Sequence, residues 1–196
     1  AVRTDEEIAA ALAPYVQRDC LVAIDAPLIV TNSTGSRAAE KALSKDFRRF
    51  EAGTHPSNLG KPEFADGTRG ARVSSLLGLD MNPRSGRARR AIEVYPHPAT
   101  VVLFGLPRTL KYKDKKGRDL ELLRSELLVL IGHVETIVET NDQWAALRVA
   151  VETATRKSEL RVAEDQVDAV VCAYVALFRE RHPERTTTYG DFESGY

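Results

Sequence analysis

Apolar positions alternate between two rhythms along this chain, one of helical period and one of short unbroken runs. In "RTDEEIAAALAPYV", Ile8, Leu12 and either Tyr15 or Val16 fall on one face. Thr4 and Glu7 have capping-box spacing and acids fill the first turn, which together predict a helix. A polar break at 17–19 leads into "CLVAIDAPL", too short for a helix and stopped by Pro27, hence a strand. "TNSTGS" reads as a turn able to cap the next helix, "RAAEKALSKDFRRF". Residues 51–70, rich in Gly, Pro, Asn and Asp, read as a long loop, and "ARVSSLLGLD" starts a short helix. "RAIEVYPHP" is a second strand stopped by prolines. It is followed by a helix around "PATVVLFGL" and a basic turn, "KYKDKKGR".

The carboxyl-terminal half is helical in pattern. "DLELLRSELLVLIGHVETI" places Leu123, Leu127, Leu130 or Ile131, and Val134 on one stripe. Polar "ETNDQ" separates it from a helix near Trp144, and "EDQVDAVVCAYVALFRERHPE" is the last helix. Residues 169–178 are wholly apolar, so that helix is expected to be buried on most sides. The tail "RTTTYGDFESGY" is loop or short strand. The order of elements predicts an α/β fold in one domain over residues 1–196, a length able to bury a real core.

Composition narrows the class. Apolar residues make up 43% and charged residues 29% of the chain, a globular balance. No apolar run approaches the roughly 20 residues of a membrane span, and no signal-peptide pattern is visible. Cys20 and Cys172 lie far apart in apolar contexts, outside any CxxC pair. They read as buried thiols of a cytoplasmic protein. Net charge is +0, yet residues 84–118 hold ten Lys or Arg against Glu93 and Asp114. That stripe is compatible either with an anionic partner such as nucleic acid or with a solvated loop surface.

Three carboxylates stand where a bland role is least comfortable. Asp25 interrupts an apolar strand, Glu93 does the same in the second strand, and Asp168 opens the apolar stretch of the last helix. In α/β sheets functional groups gather at the carboxyl ends of strands, so Asp25 and Glu93 are expected at one edge. Asp165 and Asp168, three apart, share a helical face at what reads as the helix entrance. Acids brought together repel, and a divalent cation is their usual neutraliser. Simpler roles stay open: Asp165 as a first-turn acid, Asp25 as a turn residue before Pro27, Glu93 as a partner of Arg89 or Arg90. The chain has no HExxH, GxSxG, P-loop or GxGxxG motif, which weighs against triad hydrolases and common nucleotide folds.

Taken in order, "AIDAPL", N-x-x-G-x-R-x-x-E from Asn32 to Glu40, "EVYPHPA", "YK" and "DQVDAVVCAYVA" resemble the domain of unknown function 429 family. That family is regarded as predicted nucleases of RNase H-like fold, and the closing helix also resembles that of Holliday junction resolvases. The resemblance implies a mixed sheet flanked by helices. It implies Mg²⁺ or Mn²⁺ held by Asp25, Glu93 and Asp168, with Asp165 as a further ligand or a neighbour of one. It also implies a nucleic-acid substrate, DNA or RNA, met by Asn32, Arg37, Tyr95, His97, Lys113 and the arginines at 84–90. The first three strands of such a fold, and the acid on the first, have no counterpart here, so the sequence is expected to be part of a longer chain. A binding or regulatory domain of the same fold without cleavage is the alternative, and a sugar or acyl kinase a third option.

Overall fold

The computed structural model describes residues 4–82 and 84–196, so Arg3 of the first expected helix lies outside the described residues. Seven α-helices and two strands follow in the order α1 (Asp5–Leu12), β1 (Cys20–Ile24), α2 (Ala38–Phe47), α3 (Arg69–Leu76), β2 (Arg89–Glu93), α4 (Pro96–Phe104), α5 (Leu120–Glu135), α6 (Asp142–Thr153) and α7 (Lys157–Arg181). The α/β class stands. The sheet among the described residues is two parallel strands, β1 against β2, and shows no mixed character; the additional bridge from Asp80 to Arg90 is parallel as well.

Strand alternation explains the layering. Cys20, Val22 and Ile24 turn to one face with Ala91, where α1 and α3 cover them through Ala9, Val73 and Leu77. Leu21 and Ala23 turn to the other face with Ile92 and Val94 and meet Cys172, Val175 and Ala176 of α7. Behind α7 lies a helical core. Leu123, Leu127, Leu130, Ile131 and Val134 of α5 interlock there with Val151 of α6 and with Leu160, Val167 and Val171 of α7.

Local chemistry sets the ends of the elements. The Thr4 hydroxyl accepts from the Glu7 amide at 3.1 Å and the Glu7 carboxylate accepts from the Thr4 amide at 3.2 Å, the reciprocal cap expected of that spacing. Val16, not Tyr15, completes the buried face of α1; Tyr15 is 81% exposed. Gly105 stops α4 in the left-handed region at φ 61°. Helix α7 begins at Lys157, two turns before the expected start, capped by Arg156 and Glu159. Asp165 and Asp168 therefore lie in its third and fourth turns, which corrects the first-turn reading of Asp165. Residues 169–178 are not buried all round either: Ala169, Ala173 and Leu177 face solvent. Cys172 is buried, Cys20 is half-buried, and both are free thiols. No helix among the described residues is long and apolar enough to cross a membrane.

Candidate functional site

The parallel strands place Asp25 just past the end of β1 and Glu93 at the end of β2, at one edge as expected. The exit turn from β1 bends across β2, and the Leu28 amide donates to Glu93 Oε2 at 3.0 Å. The carbonyl of Leu28 accepts from the Thr68 hydroxyl at 2.8 Å, and the same hydroxyl caps α3 by accepting from the Ala71 amide. Gly70 makes this fit possible. A Cβ there would lie 2.8 Å from Leu28 Cδ2 and 2.9 Å from the Pro27 carbonyl oxygen.

Glu93 is fully engaged. Arg37 Nη1 donates to its Oε2 at 2.9 Å and Nη2 donates to its Oε1 at 2.5 Å. Arg37 Nε donates to Glu40 Oε1 at 2.9 Å, Nη1 also donates to the Ile29 carbonyl, and the Ser57 amide donates to Glu40 Oε2. Arg37 is buried with all three nitrogens in use. Burial pushes the Glu93 carboxyl up and Arg37 opposes it. Burial likewise works against the Arg37 charge, but Glu93 and Glu40 more than reverse it, whereas for Glu93 burial outweighs Arg37 and the net shift is upward. Asn32 donates to the carbonyls of Thr34, Gly35 and Ser57. The N-x-x-G-x-R-x-x-E segment thus ties down the loop and Glu93 and does not offer Asn32 and Arg37 to solvent.

Asp25, Asp165 and Asp168 form a separate acidic group on the α7 side. Asp168 is 3% exposed; the Tyr112 hydroxyl donates to its Oδ1 at 2.7 Å, and the Lys113 ammonium forms an ion pair at Oδ2 without an aligned hydrogen bond. Lys113 also lies 4.0 Å from Glu164 Oε1. Burial would lower the Lys113 pKa, but Asp168, Glu164 and Asp25 raise it overall. Asp25 has no hydrogen bond or ion pair among the described residues and stays open on one side. Loss of hydration in its recess, then the charge of Asp168, pushes its pKa up to about 6; Asp165 and Glu93 add to the rise, and Lys113 opposes it. Glu164, buried one turn before Asp168, is pushed up to about 7 by burial first.

The remaining expected residues divide between the two sides. The Tyr95 hydroxyl donates to the Gly53 carbonyl at 3.2 Å, and its ring meets His97 edge-on at 5.7 Å. Burial, followed by Lys113, Lys115, Arg118 and Lys111, lowers the His97 pKa to about 4, so its ring is neutral and is no phosphate cation. The basic stripe is split in two. Arg89 and Arg90 start β2, at the opposite end from Glu93, whereas Lys113 of the second group reaches Asp168 and Glu164. The guanidinium of Arg89 donates to the Leu77 carbonyl and that of Arg90 pairs with Glu180, so Glu93 pairs with neither.

Glu164 and Tyr112 are the site residues that the sequence reading left unassigned. The spacing of Glu164 from Asp168, four residues on one helical face, was the available signal. Among the described residues no group of three His, Cys, Asp or Glu side chains is placed to hold a metal ion. Both Glu93 oxygens already accept hydrogen bonds, three in all, from Arg37 and the Leu28 amide. Of the two other expected ligands, Asp168 has its oxygens against Tyr112 and Lys113, and Asp25 has its carboxylate unpartnered among the described residues.

Asp25 also stands where two cavities meet. One, of about 550 Å³, runs between α2, α4 and the end of α7; the other, of about 820 Å³, lies between α1, β1 and the exposed face of α7. Compared with known proteins, the chain matches no curated protein and no solved structure. A family model described as protein of unknown function (DUF429) matches residues 1–194. With all but its last two residues covered, the chain belongs to the DUF429 family.

Proposed function

We propose that the chain is a divalent-metal-dependent nuclease of RNase H-like fold, hydrolysing phosphodiester bonds of DNA or RNA at Asp25 and Asp168. The observation that carries this reading is Asp25: an unpartnered carboxylate at the carboxyl end of a parallel strand, its pKa pushed up to about 6 in a recess shared with Asp168. Perturbed acids of this kind concentrate at reactive centres. A parallel strand pair with acids at its carboxyl ends, packed under a helix that carries another, supports the fold assignment. The final step from fold to activity rests on family analogy.

Mg²⁺ or Mn²⁺, when bound by Asp25 and Asp168, supplies an activated water and neutralises charge on the phosphate. Asp165, exposed on the same helical face as Asp168, would orient a water of such an ion when one is bound. Tyr112 fixes Asp168 from the far side. Lys113, paired with Asp168 at the site, is the cation positioned to meet a substrate phosphate. Arg37 and Glu93 hold the β1 exit turn, and with it Asp25, in register. This assignment moves Glu93 from metal ligand to positioning residue.

A second reading, a binding or regulatory domain without cleavage, is favoured by the internal pairing of Asp168 with Lys113 and of Glu93 with Arg37. One experiment separates them. Purified protein is incubated with single- and double-stranded DNA and RNA, with Mg²⁺, Mn²⁺ or EDTA. Metal-dependent cleavage that disappears in Asp25→Asn and Asp168→Asn, with circular dichroism unchanged, supports the nuclease. Absence of cleavage in every combination removes it.

A further inference from the structure

We propose that the cavity between α2, α4 and the end of α7 binds a nucleoside phosphate and brings its phosphate toward Asp25. Its volume, about 550 Å³, is that of a small-molecule site. The wall carries aromatic rings from three separate elements, Phe47 of α2, Tyr95 before α4 and Phe178 of α7, beside aliphatic Val102. Two cations, Lys61 and Arg185, also line it, and neither has a carboxylate partner among the described residues. Lys61 Nζ donates only to the Pro56 carbonyl, and the Arg185 guanidinium lies 5.1 Å from the centroid of the Phe178 ring.

Rings for a flat face, cations without a carboxylate partner for an anion and a carboxylate at the rim make one combination. An acyl chain would find the cations unmatched. An inorganic anion would leave the aromatic wall bare. A base stacked on the rings with its phosphate near Arg185 satisfies both. The source of that nucleotide is either a free mononucleotide or the end of a single strand. The assignment rests on the nuclease reading only for the part played by Asp25.

Titration calorimetry of the whole chain in EDTA tests it, using adenosine and uridine monophosphates, a short single-stranded oligonucleotide and inorganic phosphate. Saturable one-to-one binding of a mononucleotide or the oligonucleotide is expected. Exposed Arg185→Ala should weaken it about tenfold, the loss of one charge-assisted contact. Val102→Trp, at a position 68% exposed and so tolerant of bulk, should block it. Comparable affinity for both ligands identifies the free mononucleotide; an oligonucleotide bound more than about tenfold tighter identifies a strand end. Inorganic phosphate bound as tightly as the nucleotides, or no saturable binding at all, overturns the proposal. Run without metal, the calorimetry reads the cavity alone: binding here with no cleavage in the Mg²⁺ and Mn²⁺ assay overturns the nuclease and keeps the cavity, and cleavage in that assay with no binding here does the reverse.

Discussion

At Asp25 the requirements of folding and of chemistry oppose each other. The folded chain holds the Asp25 proton more tightly than the unfolded chain, since its pKa rises from 3.8 to about 6. Stability from this group is therefore present at low pH and falls as pH climbs between those values. The full shift would correspond to about 3 kcal/mol, and solvent on the open side reduces it to about 1 kcal/mol. Asp25→Asn should raise the melting temperature at about pH 8, with the gain gone near pH 4. Cleavage, needing the carboxylate, should rise through about pH 6 in the native chain. An Asp25→Asn variant less stable than the native protein at about pH 8 would refute the repulsion. Arg37 behaves oppositely. Arg37→Ala strips both Glu93 and Glu40 of their counter-ion in a buried setting, so a loss of about 3–5 kcal/mol in urea denaturation is expected. Arg37→Lys should recover little, because an ammonium cannot make the paired contacts to Glu93.

Among the elements, what was legible in the sequence is what periodicity and capping encode. Helix α5 follows its apolar stripe closely, because that stripe is the buried face; the stripe of α1 is half-buried, and the helix expected near Trp144 is present as α6. Leu127→Ala on α5, at a side chain with no exposure, should cost about 2–5 kcal/mol. Asn141→Ala should cost about 1 kcal/mol, because the Asn141 side chain accepts from the Trp144 amide at the start of α6. The start of α7 was not legible. Lys157 to Arg161 carries few apolar residues, and its start signal, an Arg156 to Glu159 pairing, is made by long side chains that no short-range rule for Ser, Thr, Asp or Asn detects. The edge shared by Asp25 and Glu93 could be read from strand polarity alone. Their division into two groups could not, because it depends on Arg37 and Lys113 arriving from residues distant in sequence.

For the whole molecule, Lys113 occupies the place where an added cation would act. It pairs with Asp168, approaches Glu164 and lowers the cost of ionising Asp25, which offsets part of the burial that pushes Asp25 and Glu164 up. A divalent ion that binds only the folded chain adds stability by mass action, about 2.7 kcal/mol at a hundredfold excess over its dissociation constant. For a chain of this size that corresponds to a rise of roughly 5–10 °C in melting temperature. The native protein should show such a rise with Mn²⁺, and Asp25→Asn or Asp168→Asn should show none. Lys113→Met is the sharper variant. Without metal it leaves Asp168 buried beside Glu164 with no counter-ion and should lose about 3–5 kcal/mol. With Mn²⁺ it should regain more than the native chain gains, since the ion no longer competes with an ammonium for the same oxygens. If scanning calorimetry finds Mn²⁺ without effect on both the native chain and Lys113→Met, the acids around Lys113 serve the fold alone.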